Sequence, residues 1–405
     1  MIGWSGRRKA LTILMFIAPT LIGVFIFSVY PILYNTFISF TNRNQYRPNP
    51  DCTVALTSVF EPMCWPMFRQ QAPVGLGQPY TIQTPVFGNY VDLLGKLFTK
   101  EALLALVGIL LCFLPLYLSR RVNKHLDKGL TRTVPAWVVW ISGLAGLALL
   151  AWALNFQQLT STLMKTGDFI VVNFRTILYV ALCIPMFFIV GLTLALILNT
   201  SNLRGRTAFR VLMVVPWAAS TVAIMMSLVW QFFFREQGTI NQLLNIIGIK
   251  GPAWLNSPTW AFAIIVLVNI WYTYPFFMTV ILGALQSIPP EQYEAAEVDG
   301  ATWWHKLMRI TLPLLRPAVL PAIVLSSIST FQMFGTVWAI TQGRPSLGAG
   351  TPGATELVMV YAYKQIFQTN AYAKMGAYAV VMFIFLFLAT LYSLRVTRIT
   401  KGAYE

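Results

Sequence analysis

The chain has 405 residues, of which 57% are hydrophobic and only 10% charged, and its net charge is +16. So few charges cannot cover a soluble domain of this size, in which about a quarter of the residues are ordinarily charged. The positive excess reads as topogenic, with Lys and Arg held on the cytoplasmic side, and no basic and aromatic interleaving points to nucleic acid.

Apolar runs of about 20 residues recur along the chain and predict an all-α polytopic membrane protein with about eight spans. They fall at 11–35, 102–118, 134–154, 172–198, 209–233, 259–284, 318–341 and 373–395. The first is too long for a signal-peptide core and no small-x-small cleavage site follows it, so it is read as a retained span. A long connection rich in Pro and Gln, 41–100, comes next. It carries Cys52 and Cys64, candidates for a disulfide on a side that can be oxidising, whereas Cys112 and Cys183 lie in spans and read as packing residues. Placing both termini in the cytoplasm puts more than half of the 29 basic residues on the inner segments, among them Arg7, Arg8, Lys9, Arg120, Arg121, Arg204, Arg206, Lys306, Arg309 and Arg316. The outer segments are longer and less densely basic, as the positive-inside rule requires. Of the later outer segments, 235–258 and 343–372, the second contains TQGRPSLGAGTPGATE and is expected to be a flexible Gly/Pro connection. The chain thus divides into an N-terminal region, 1–170, with three spans, and a core, 171–405, with five spans and an inner loop at 287–317.

What the spans lack narrows the function. No ionisable residue lies in the middle of any expected span, which argues against a proton-coupled carrier and against acid–base catalysis within the membrane. The two histidines lie in inner loops, no Cys/His cluster has metal-ligand spacing, and no phosphate-binding G-x-x-x-x-G-K-[ST] loop occurs. No cofactor or metal is expected. A membrane protein without energy-coupling chemistry is a passive channel, a structural subunit, or the membrane part of a machine driven by another chain.

The loop SIPPEQYEAAEVDGATWWHKLMRITLPLLRP, Ser287–Pro317, selects among these. Four of the chain's 13 acidic residues, Glu291, Glu294, Glu297 and Asp299, crowd into it. Pro289 and Pro290 stop the preceding span, and Pro290 suits the start of a new helix. Glu291 then sits in the first turn, beside the positive helix end. Gly300 can take the left-handed conformation that ends a helix. A second helix begins at ATWWHKLMRI, with Trp304, Leu307, Met308 and Ile310 on its apolar face, and Pro313 and Pro317 are expected to end it before the next span. The small Ala295–Ala296 pair permits close approach by another surface, and the carboxylates offer partners to Arg or Lys. An amphipathic loop resting on lipid headgroups is the plainer alternative.

Glu294, Ala295, Ala296, Asp299, Gly300, Ile310, Leu312 and Pro313 fill the pattern E-A-A-x-x-x-G followed by I-x-L-P. The stretch thereby resembles the EAA loop of binding-protein-dependent ABC importers. TFISFTN, FGNYVDLL, LTLALILN, MVVPWAAS and GTPGATELVMVYAYKQIF extend the likeness to the larger, eight-span permease subunit of maltose-type importers. The resemblance implies a type I importer permease fold and a coupling helix that docks on a separate ABC ATPase subunit, present in two copies. It also implies a second permease subunit, an extracytoplasmic sugar-binding protein and a location in the lipid of a bacterial or archaeal cell (inner) membrane. The implied substrate is a sugar, with maltose or maltodextrin ahead of trehalose or another oligosaccharide, and this chain would perform no catalysis. The sequence departs from the family in placing its extra spans, 102–154, after FGNY, with no large folded insertion before the core. Contact with the binding protein is then expected from 41–100 and 343–372.

A sugar site inside a membrane needs hydroxyl or amide partners beside aromatic rings. NIWYTYPFF supplies Asn269, Tyr272, Thr273 and Phe276, and LSSISTFQMF supplies Ser326, Ser329 and Thr330. Pro275 is expected to loosen its helix there by freeing a carbonyl. The same residue types also serve ordinary helix–helix packing. A secondary carrier or channel acting alone is the competing function. A membrane enzyme would require acidic or His residues clustered at one face, and the only such cluster is the loop just described.

Overall fold

The computed structural model describes residues 6–44, 80–97, 99–126, 135–200, 203–218 and 220–401. In chain order the helices are α1 (Gly6–Val24), α2 (Tyr30–Ile38), α3 (Gly88–Leu97), α4 (Lys100–Leu126), α5 (Ala136–Ala153), α6 (Phe156–Thr166), α7 (Asp168–Asn199), α8 (Arg206–Ala218) and α9 (Ser220–Phe233). There follow α10 (Thr239–Ile246), α11 (Pro258–Gln286), α12 (Glu291–Val298), α13 (Trp303–Lys306), α14 (Leu312–Phe331), α15 (Gly335–Thr341), α16 (Val358–Thr369) and α17 (Tyr372–Lys401). Among the described residues the β-pairing amounts to an isolated bridge between Thr41 and Ile82.

Seven helical stretches among the described residues are long and apolar enough to cross a membrane: Thr12–Ile38, Lys100–Asn123, Ala136–Ala153, Asp168–Asn199, Pro258–Gln286, Trp303–Phe331 and Tyr372–Leu391. The expected span at 209–233 is helical on both sides of residue 219, which lies outside the described residues, as do Cys52 and Cys64.

The expected span at 318–341 is corrected. The helical rod begins at Trp303, runs to Phe331, and breaks at 332–334 before the separate short α15. Pro313 and Pro317 therefore do not end a helix; Pro313 opens α14, and Pro317 and Pro321 lie inside it. The reason is a π-helical turn, Leu307–Thr311, in which the Leu312 N–H reaches back five residues to the Leu307 carbonyl. The wider turn gives room to the ring of Pro313 and suits a residue that has no N–H to donate. The first span uses the same device: a π turn at Phe25–Val29, closed by Tyr30 N–H to Phe25 O, immediately precedes Pro31.

Two compact units are present. One comprises Met1–Gly95 and Ala362–Phe387. Its buried residues include a polar group among apolar ones. The buried Asn89 amide donates to the carbonyls of Ser39 (2.8 Å) and Thr41 (2.7 Å), and Tyr90 Oη lies 2.6 Å from Ser39 Oγ. Asn42 and Thr81 exchange hydrogen bonds, and Ala373 N–H donates to Arg43 O. The segments TFISFTN and FGNYVDLL, far apart in sequence, are thus fastened to each other.

The other unit comprises Lys96–Tyr361 and Leu388–Glu405. Its core lies along α7 and α11. Tyr179, Cys183, Phe187, Ala195 and Leu198 on α7 recur at helical spacing and pack with Ile264, Ile265, Val268, Phe277, Met278, Ile281, Leu282 and Leu285 on α11. The two helices touch most closely at Gly191, where a Cβ would lie 2.7 Å from Phe277 Cβ and 2.9 Å from the Met278 nitrogen. Small residues at such crossings let helix backbones approach within a membrane. Replacing Gly191 by Leu is expected to force α7 and α11 apart at a cost of about 1–3 kcal/mol or more. Thermal unfolding in detergent would register the loss, and a variant as stable as the native chain would show that the crossing is not tightly packed.

Candidate functional site

The loop at 287–317 is a helix, a turn and a second helix. Pro290 precedes α12, and its carbonyl accepts the N–H groups of Tyr293 (2.9 Å) and Glu294 (3.1 Å). At the other end Ala301 N–H bonds to Ala296 O (2.8 Å) and Gly300 N–H to Glu297 O (3.0 Å). This is the Schellman pattern, and it places Gly300 at φ +71°. Thr302 caps the next helix through the His305 N–H.

Glu294, Ala295, Asp299 and Gly300 are exposed, whereas Ala296, Ile310, Leu312 and Pro313 are half-buried. Leu307 is buried, so the apolar face expected of the second helix is split: Trp303 (64% exposed), Trp304 (57%) and Met308 stay on the surface with Val298 (89%). Lys306 bridges back to Glu297 at 2.5 Å, and its ammonium holds the Glu297 carboxyl below the usual range. The arrangement is a short acidic helix offered to the surrounding medium, with large apolar side chains beside it.

The expected polar path divides on inspection. Asn269 is fully buried; its amide donates to Cys183 Sγ (3.6 Å), and Thr273 Oγ1 donates to its carbonyl oxygen (3.2 Å). It ties α11 to α7 as a packing residue would. Ser326 and Thr330 are also buried, and Ser329 Oγ donates to Ser326 O within its own helix. Tyr272 and Phe276 are half-buried, and Phe276 faces Trp217 of α8, with ring centroids 5.6 Å apart. Trp217, 40% exposed, is the aromatic that reading the two segments alone missed. It lies in the quoted MVVPWAAS stretch, and the helix contact brings it alongside. α11 continues unbroken through the buried Pro275.

A second polar cluster was not anticipated. Arg175 of α7 donates through Nη1 to Gly353 O (2.6 Å) and Pro352 O (3.3 Å). Glu356 Oε2 accepts the Gly353 N–H (2.5 Å), and Val358 N–H donates to Thr176 Oγ1 (3.0 Å). Thr355 Oγ1 lies 2.6 Å from Arg344 O and 2.7 Å from Thr341 Oγ1. Burial, together with the Asp168 and Glu356 carboxylates, pushes the Tyr361 phenol up to about 12. The segment expected to be a flexible connection is therefore an ordered strap. Its residues 352–358 are buried, and the tip, 346–350, is exposed together with Gln342 and Arg344. Gly353 is required because a Cβ there would run into the Gly343 carbonyl. The sequence signal was Arg175 itself, set at the edge of an apolar run where a cation needs partners.

Seven long apolar helices among the described residues, with an exposed acidic helix between two of them, fit a multi-pass membrane component. The chain belongs to the family of binding-protein-dependent transport system inner membrane components, whose model matches residues 188–401. It is a multi-pass cell-membrane protein and the permease type of subunit of an ABC importer. It is 32% identical over 230 residues to the trehalose/maltose transport system permease protein MalF of Thermococcus litoralis, covering 56% of this chain and 75% of that one. It is 31% identical over 318 residues to the sulfoquinovosyl glycerol transport system permease protein SmoG of Agrobacterium fabrum, covering 78% and 95%. A chain of the bacterial alginate ABC transporter, solved in complex with alginate pentasaccharide-bound periplasmic protein, superimposes with a TM-score of 0.51 at 25% identity, over 65% of this chain and 96% of that chain.

The clamp on the strap has a measurable consequence. Hydrogen bonds to a charged group contribute about 1.5–3 kcal/mol. Arg175→Met keeps the stem and removes the guanidinium, and is expected to release the strap so that protease cuts at 346–350 faster than in the native chain. Equal cleavage rates and equal melting temperatures would dismiss the clamp.

Proposed function

We propose that this chain is the larger permease subunit of an ATP-driven importer for a sugar, maltose or maltodextrin first and trehalose or a related oligosaccharide next. The substrate class is supported by the named transport systems of the relatives. In this reading the core, 171–405, carries the importer machinery, and 1–170 is an added three-span region. Both termini face the cytoplasm, which puts α12 on that side and the strap on the other.

The observation that carries the proposal is α12 itself: an acidic helix, exposed on most of its faces and closed by a left-handed glycine, between two membrane rods. Glu294, Ala295, Ala296, Asp299 and Gly300 form the surface that docks into an ABC ATPase. Two ATPase copies, this chain and a second permease make up the assembly. ATP binding draws the ATPases together and swings α12. The pathway then opens outward to receive sugar from the binding protein, which meets the strap and the long segment 41–100. Hydrolysis on the ATPase chains resets the system, and this chain does no chemistry. Tyr272 and Phe276 of α11 and Trp217 of α8 present ring faces to the sugar, with Thr273 on α11 and the exposed Ser329 on α14 as hydroxyl partners, and the enclosed Ser326 and Thr330 behind them.

Purification in mild detergent through a C-terminal tag tests the docking surface. The native chain is expected to bring down an ATPase and a second permease. Glu294→Lys reverses charge at the surface, and Gly300→Trp forces a side chain into a left-handed position at roughly 1–2 kcal/mol; both are expected to lose the ATPase and keep the second permease. A chain that purifies alone would restore the stand-alone carrier, and ATPase retention in both variants would move the dock elsewhere. For the path, Trp217→Ala and Tyr272→Ala are expected to lower uptake roughly two- to tenfold, the worth of one aromatic contact, in fully assembled complexes. Unchanged uptake in both would remove these rings from the path.

A further inference from the structure

We propose that Tyr293 is a positioning residue that makes α12 and α14 move as one body, so that displacement of the acidic helix reaches the membrane rod undiminished. The inference rests on the docking reading above and deepens it. Tyr293, half-buried like Ala296, is the large side chain of α12 that packs on the core cluster that includes Leu285, Ile288 and Leu315. Its hydroxyl lies 3.0 Å from Thr311 Oγ1. Thr311 is 4% exposed and donates its own proton to the Lys306 carbonyl at 3.2 Å. That leaves Thr311 as acceptor, so the relay runs from the Tyr293 O–H to Thr311 and on to Lys306. Thr311 is the last residue of the π turn, and Lys306 immediately precedes it.

The relay therefore grips both ends of the π turn between the acidic helix and the rod. A π turn is the point at which such a rod would otherwise flex. The Lys306–Glu297 bridge closes the same loop from outside, but its carboxylate is exposed to solvent, as are Asp299 and Gly300 of the Schellman turn, which makes both weak anchors by comparison. Without the hydroxyl contact, α12 would be joined to α14 by a glycine turn and a widened helical turn in series. With it, the loop is a closed wedge.

The test is a distance measurement in the assembled complex. Spin labels at Gln292→Cys on α12 and Leu325→Cys on α14, in a background without the native cysteines, report whether the two helices hold one separation. Native Tyr293 is expected to give a single narrow distribution, the same without nucleotide and with ATP and vanadate. Tyr293→Phe and Thr311→Val are expected to add a second, broad population, because one ordinary hydroxyl hydrogen bond biases the closed arrangement about fivefold. Thr311→Ser keeps the hydroxyl and is expected to retain the narrow distribution, which separates the relay from mere packing. The double variant should broaden no further than either single one, since the two groups serve one contact. ATPase co-purification serves as the check on folding and docking. A narrow distribution in Tyr293→Phe with the ATPase bound overturns the relay alone. A native complex that carries no ATPase overturns the docking reading and this inference with it.

Discussion

Inside a bilayer no water satisfies a backbone N–H or C=O, so each must find its partner within the protein. Nearly every local feature of this chain is a way of meeting that demand. Long helices meet it directly. Where proline interrupts a helix, at Pro31 and Pro313, a π turn just before it widens the coil around the ring. Where the chain leaves helical form near α7, the Arg175 guanidinium and the Glu356 carboxylate take up the buried carbonyls of residues 352 and 353 and the N–H of residue 353. A Gly/Pro-rich segment thereby becomes rigid at its base.

The same constraint explains why the loop at 287–317 stands out. It is the place where the chain spends charge instead of hydrophobic surface. α12 exposes its carboxylates and keeps only Tyr293 and Ala296 turned inward. Its ends are closed by local means, a proline carbonyl at one end and the Gly300 turn at the other. The large side chains left on the surface beside it, Val298, Trp303 and Trp304, are the kind that interfaces bury at their centres.

Candidate path residues within the apolar helices fall into two kinds. Asn269, Ser326 and Thr330 are enclosed and serve helix contacts. Tyr272, Phe276 and Trp217 keep part of their surface open. A sugar path read from residue type alone merges these classes, because a hydroxyl or amide that binds a ligand and one that binds a neighbouring helix have the same one-letter code. Burial separates them.

The sequence by itself determined the class of protein. Apolar run length, sparse charge and the E-A-A-x-x-x-G loop are local properties, and bilayer thickness and helix-end chemistry act on them locally. It also determined the left-handed Gly300 and the start of α12, since caps and stops depend on a few adjacent residues. Tertiary structure alone decided the rest. Pro313 and Pro317 read as stops in sequence, yet the rod runs from Trp303 to Phe331, with a π turn making room for Pro313 and with Pro317 carried inside α14. The strap read as flexible, yet it is held by Arg175, more than 170 residues away in the chain. Tyr293 and Thr311 read as ordinary positions in two neighbouring helices until the turn at Gly300 folded them together. In each case the deciding partner is distant or faces the residue across a turn, and composition and spacing carry no record of which side chains will meet.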